Sequence, residues 1–237
     1  MVNDLHPMDR PFCWARLRVH LPYKLALAVG LNLLALSLYY LLQHYVLYPV
    51  TVMRPGRVDH WIAFNEHTVW LYLSLFVLQP IAPMSMLQTS QLRRYALGIV
   101  AISSVADVIF FFWPTAIMRP AVAGPSAVYH QLVTLVNPLN ACPSLHAAMA
   151  VYSACCGEQL WRGTRGAWRW RSGFWLWALA IIYATLSTKE HVFTDAVAGS
   201  VLGALTYLVA FGHLRRLTKG PGRWRILARH VVARAPS

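Results

Sequence analysis

Leu186-Ser187-Thr188-Lys189-Glu190-His191-Val192-Phe193-Thr194-Asp195-Ala196-Val197-Ala198-Gly199 joins the end of one apolar run to the start of the next with almost no loop between them. His191 and Asp195 are four residues apart, about one helical turn of 5.4 Å, so they share a helix face. A carboxylate there can accept the proton of one imidazole nitrogen. That fixes the tautomer and frees the other nitrogen as a base or nucleophile. Some 45 residues earlier, Pro143-Ser144-Leu145-His146 opens another apolar run. Two histidines at the starts of two such runs, on the same side, are hard to explain as packing.

The chain has 237 residues, is 57% apolar and carries a formal charge of +13. Its apolar residues fall into runs of about 20, the length that crosses a bilayer. Six are expected, at about 24–44, 68–87, 93–113, 144–161, 173–188 and 192–213. The fold expected is all-α, a polytopic six-helix membrane bundle. It reads as one membrane-embedded domain over 1–237, with its core at about 90–213 and tails at 1–23 and 214–237. Pro80 and Pro83 interrupt the second run and predict a kink or an early end. The first run follows a polar leader and lacks a small-residue cleavage site, so it reads as a span, not a signal peptide.

With six spans, all but four of the 21 lysines and arginines fall on one side. The exceptions are Arg54, Arg57, Arg119 and Lys189. The positive-inside rule then puts both termini in the cytoplasm. Topology and attraction to anionic lipid account for the charge, so no nucleic-acid partner is expected. The location expected is a bacterial inner membrane, with the histidines on the periplasmic, outer face. Cys13, Cys142, Cys155 and Cys156 suggest neither a disulfide framework nor a metal cluster.

Pro143 and Ser144 form a helix start, with Ser144 as the cap of the first turn. The free amides there favour an anion. Gly199 and Gly203 have the spacing that lets helices approach closely, and the alanine-rich run at 147–154 is a suitable neighbour. That packing would bring His146 and His191 together. Asp107 lies within the third run, where a carboxylate is costly. It reads equally as an ion or proton partner and as an acid that pins helices. The loop 114–143 is rich in turn formers and carries Arg119, whose forked geometry suits a phosphate.

Arg119, Ser144, His146, Lys189, His191 and Asp195 thus meet the needs of phosphoryl transfer: charge neutralisation, an activated nucleophile and an acid for the leaving group. The set resembles the type 2 phosphatidic acid phosphatase superfamily, with its motifs Lys-x6-Arg-Pro, Pro-Ser-Gly-His and Ser-Arg-x5-His-x3-Asp. Arg119-Pro120 matches the end of the first, Pro143-Ser144-Leu145-His146 the second with Leu for Gly, and His191-x3-Asp195 the end of the third. The first-motif lysine falls at Phe112 and the third-motif Ser-Arg at Ala184-Thr185. Lys189 is the replacement cation at hand. Pro-Ser-Leu-His ahead of His-x3-Asp and Ala-Gly-Ser looks more like the branch with inositol phosphorylceramide synthases.

The resemblance implies His191 as nucleophile, Asp195 as its orienter and His146 as general acid, with Arg119, Lys189 and Ser144 binding phosphate. It implies a phosphohistidine intermediate. The expected function is removal of phosphate from a lipid phosphate or diphosphate. The alternative is a lipid phosphotransferase that hands a phospho-head group to a lipid or sugar hydroxyl. A non-enzymatic scaffold on the same fold is the third reading. No metal or other cofactor is expected, and the partners are membrane lipids and the lipid substrate.

Overall fold

The computed structural model describes residues 14–120, 125–162 and 167–217. The leader up to Cys13, Arg165 and the basic tail from residue 218 lie outside the described residues. Helices α1 (Trp14–Arg18) and α2 (Leu21–His44) come first, then strand β1 (Thr51–Met53) and α3 (Arg57–Trp61). A 3-10 turn, Glu66–Thr68, leads into α4 (Val69–Leu73), α5 (Leu75–Ser85) and α6 (Thr89–Phe112). Strand β2 (Thr115–Ile117), α7 (Ala127–Leu135), α8 (Leu145–Leu160), α9 (Ala167–Ser187) and α10 (Phe193–Leu217) complete the order.

The protein is mostly helical. Among the described residues four segments are long and apolar enough to cross a membrane: Leu21–His44, Glu66–Ser85, Thr89–Phe112 and Phe193–Gly212. The other two runs of the sequence became α8, of 16 residues, and α9, which opens on Trp168, Arg169, Trp170 and Arg171. Helix α8 is the axis of the molecule, wrapped by α5, α6, α9 and α10. Ala147, Ala148, Ala150, Tyr152 and Ala154 are fully buried along it. A helix enclosed by protein needs neither the length nor the apolar girth of one that faces lipid. By contrast α2 exposes Val29, Leu33, Leu34 and Leu36, as a lipid-facing helix does.

The expected pairing of α8 with α10 is present and is the most extensive in the fold. A Cβ on Gly199 would collide with the Ser144 carbonyl, and one on Gly203 with the Ala148 carbonyl. The two backbones therefore touch over one helical turn, as small residues permit.

The prolines of the second run do not end it. Helix α5 passes through Pro80 and Pro83 to Ser85, and the turn that divides it from α4 lies earlier, at Ser74. Pro83 cannot donate to the Gln79 carbonyl, but the Tyr95 hydroxyl does so from α6, at 2.7 Å. At Ser74 the hydroxyl donates to the Leu71 carbonyl and accepts the Trp177 indole N–H at 2.8 Å. The Ser74 amide still donates to the Trp70 carbonyl and the Ser74 carbonyl still accepts the Leu78 amide, both at 3.0 Å, so α4 and α5 run on as one apolar segment.

The connecting loops at the histidine end are more ordered than turn formers alone suggest. Strands β1 and β2 pair in parallel, Thr51 with Thr115 through Met53 with Ile117. Thr115 also accepts the Ala141 amide on its carbonyl and the Cys142 amide on its hydroxyl, at 2.8 Å for the latter. This small platform fixes the chain just before α8. Helix α7 fills the stretch between the two clusters of turn residues, capped by Ser126, which accepts from the Tyr129 amide. Asp107 sits on α6 in a crevice against Leu31, Leu34, Ala35 and Leu38 of α2, with Oδ2 unpartnered.

Candidate active site

The turn between α9 and α10 is set by backbone geometry. The Glu190 amide donates to the Thr185 carbonyl and the Lys189 amide to that of Leu186, so α9 ends in a Schellman motif. The residue that must turn left-handed is Lys189, with φ 57°. Glycine would take that conformation without cost, so a lysine there points to a use for its side chain. Its Nζ donates to the carbonyls of Asp59, at 3.0 Å, and Ile62, at 2.6 Å.

Helix α10 then starts at Phe193, and both early amides are met by carboxylates. Asp195 reaches back from the first turn and accepts the Val192 amide at 3.2 Å. Asp59, from α3, accepts the Phe193 amide at 2.8 Å and the Gly56 amide at 2.8 Å. Each such charge-assisted bond contributes about 1.5–3 kcal/mol. The 56–65 segment thus straps the turn in place, helped by the Asn65 amide on the Ser187 carbonyl at 3.0 Å. From α7 the Tyr129 hydroxyl donates to the Thr188 carbonyl at 3.0 Å. Burial, reinforced by Glu190, pushes that hydroxyl up to about 12, so it stays a donor.

Helix α8 begins beside α10. The Ser144 hydroxyl accepts the Ala147 amide, as a cap should, and the Ser144 amide donates to the Asp195 carbonyl at 3.0 Å. The two helix starts are therefore tied directly to one another. His146 and His191 are brought together, with ring centroids 6.5 Å apart. His146 stacks on Tyr72 of α4 at 3.8 Å and meets the edge of Phe76 at 6.4 Å. Its Nε2 is buried without a partner. His191 is 8% exposed, and its Nδ1 lies 3.9 Å from Asp195 Oδ2. That is beyond hydrogen-bond range, and both His191 Nδ1 and Asp195 Oδ1 are buried and unpartnered. A ring movement of about 1 Å closes the bond, the kind of tightening that substrate binding produces.

The candidate cations are occupied. Arg119 Nη2 donates to Glu190 Oε2 at 2.6 Å, and Nη1 to the carbonyls of Val136, at 2.7 Å, and Val133, at 3.3 Å. Arg119 thus caps the end of α7, and its Nε is left buried and unpartnered. Where related motifs carry cations, this chain has Phe112, exposed at the end of α6, and Thr185, fully buried beneath the turn. Burial, with Asp195 nearby, pushes the Cys142 thiol up to about 11. Among the described residues no group of three or more His, Cys, Asp or Glu is placed to hold a metal.

Sequence reasoning missed Glu190, Asp59 and Tyr72. Glu190 directly precedes a candidate nucleophile, which was a usable signal. Asp59 lies in the short α3, 132 positions upstream of His191, and Tyr72 is one aromatic within an apolar run, so neither announced itself.

Residues 14–209 match the sequence model of one protein family, the PAP2 superfamily. No curated protein and no solved structure matches the chain.

Proposed function

The chain belongs to the PAP2 superfamily, whose members are generally membrane phosphatases and phosphotransferases, and from that premise we propose a phosphohistidine enzyme acting on a lipid phosphate. The observation that carries the reading is the pair of imidazoles, 6.5 Å between centroids, at the joined starts of α8 and α10. A phosphorus atom fits between rings at that spacing. His191 Nε2 attacks it while Asp195 holds Nδ1. His146 Nε2, which lacks a partner, protonates the leaving oxygen. The Arg119 Nε–H and the first-turn amides at Leu145 and His146 steady the phosphate oxygens, with Ser144 shaping that turn. Lys189 contributes its remaining N–H and positive field.

The six apolar runs are assigned as six spans, with α8 and α9 as the fourth and fifth. Both termini then lie in the cytoplasm and the histidines at the outer face of a bacterial inner membrane. Water as acceptor makes the protein a lipid phosphatase. A second reading, transfer to a lipid or sugar hydroxyl as in inositol phosphorylceramide synthases, is favoured by the cations absent at Phe112 and Thr185. The test is turnover of a panel of lipid phosphates by the purified full-length protein, scored for free phosphate and for new lipid. His191→Ala should abolish both products. Undiminished turnover in that variant refutes the assignment.

A further inference from the structure

Glu190 is 6% exposed, and its Oε1 is buried with no partner. Its Oε2 holds Arg119 at 2.6 Å. A guanidinium carries five N–H donors, and Arg119 commits three of them to Glu190 and the end of α7. Glu190 directly precedes His191 in the turn before α10, so the pair flanks the nucleophile's own residue. An orphan acceptor and an orphan donor, Arg119 Nε, therefore belong to the immediate surroundings of the paired imidazoles.

Arg119 and Lys189 face three carboxylates there, Glu190, Asp195 and Asp59, so the site holds no spare positive charge. Lys189 is further tied to the carbonyls of Asp59 and Ile62. A phosphomonoester brings two negative charges to a turn that already carries buried Glu190 and Asp195. An unmatched buried charge costs several kcal/mol. A phosphodiester brings one charge, which Arg119 Nε–H and the α8 amides can meet.

We propose that Glu190 is a specificity-determining residue that tunes the site to a phosphodiester lipid, with one negative charge on the phosphate, and against dianionic phosphomonoesters. This rests on the phosphohistidine reading above and, of its two forms, favours transfer of a phospho-head group over removal of a phosphomonoester. His191 Nε2 forms the bond to phosphorus as the P–O bond to one alcohol breaks. The proton of His146 goes to that alkoxide, and the phosphohistidine keeps the other ester group. Attack by an acceptor hydroxyl or water returns a proton to His146 and frees His191.

The test uses full-length protein in mixed micelles at pH 8 with two short-chain lipids. These are a phosphatidate and its methyl ester, phosphatidylmethanol, which share acyl chains and differ by one methyl group and one charge. Diacylglycerol formation gives kcat/KM for each. The protein should favour the methyl ester by at least about tenfold. Glu190→Gln keeps an acceptor for Arg119 and removes the charge, and should shift the ratio toward phosphatidate by at least about tenfold. A purely structural role would lower both rates alike. A preference for phosphatidate in the unmodified protein, or a ratio unmoved by Glu190→Gln, overturns the proposal. If that variant fails to fold, the unmodified protein decides: dimethyl phosphate should inhibit better than methyl phosphate, and the reverse order overturns it. Equal turnover of both lipids that is lost in His191→Ala overturns the Glu190 role alone. Turnover of neither lipid overturns the phosphohistidine reading as well.

Discussion

Replacing Gly199 by alanine tests whether the touching backbones of α8 and α10 set the aim of the histidines. The added Cβ would lie 3.0 Å from the Ser144 carbonyl carbon and 3.1 Å from its nitrogen, and would overlap the carbonyl oxygen outright. Backbone cannot rotate away as a side chain can, so the helices must part by about 1 Å. The bond from the Ser144 amide to the Asp195 carbonyl, 3.0 Å in the native protein, then stretches out of range. His146 is two residues from the collision and Asp195 four. A 1 Å misplacement of reacting groups costs about 100-fold in rate, and overpacking costs about 1–3 kcal/mol. Gly203→Ala provides the control, because its Cβ would meet the Ala148 carbonyl, also two residues from His146 but one turn farther from Asp195 and from the bond that ties the two helix starts. Both variants should lose several degrees of thermal stability in detergent. Gly199→Ala should lose about 100-fold in kcat/KM, and Gly203→Ala less than about tenfold. A Gly199→Ala protein with native melting temperature and native turnover would show that the close approach does not govern the site.

Asp59→Ala removes the acceptor of two backbone amides, at Phe193 and Gly56, and should destabilise the protein by about 2–3 kcal/mol in a denaturant titration, with Asp59→Asn intermediate. The same change should lower turnover, since the strap holds the His191 turn. Cys142 should react with methyl methanethiosulfonate only slowly at pH 7–9 and faster as pH approaches about 11, read by mass in a chain whose other three cysteines are serine. The sign follows from the raised pKa: below the ordinary 9.0 both folded and unfolded thiols are protonated, and between 9 and 11 only the unfolded chain ionises, so stability falls with rising pH there. Asp195→Asn should bring the onset of labelling to lower pH, because a negative neighbour is removed.

What could be read from the sequence was whatever a residue's own neighbours dictate. The cap at Ser144 follows from Pro143 and the apolar run after it, and the close contact of α8 and α10 follows from Gly199 and Gly203. His191 and Asp195 were expected to share a helix face, but α10 starts only at Phe193, so His191 sits on the turn before the helix and that turn, not helical periodicity, brings it to 3.9 Å from Asp195. The contact at Ser74 could not be read this way, since its hydroxyl accepts from a tryptophan about a hundred positions away on α9. Nor could the survival of α5 through Pro83, which depends on Tyr95 supplying the missing donor. Helix α7 hid between two clusters of turn residues, whose density gave the whole loop an irregular reading.

The cations at the site show the same division more sharply. Arg119 and Lys189 were legible as positive charges near an expected phosphate, because charge is a property of the residue alone. Their availability is not. It depends on Glu190, on the end of α7 and on the Asp59 and Ile62 carbonyls, all of which reach them only in three dimensions. On the proposed function, a phosphate that enters finds no spare positive charge after those bonds. Catalysis would then depend less on attraction for the phosphate than on how firmly two helix starts hold two rings. The direct bond between those starts, Ser144 amide to Asp195 carbonyl, is what makes such firmness attainable from residues 51 positions apart in the chain.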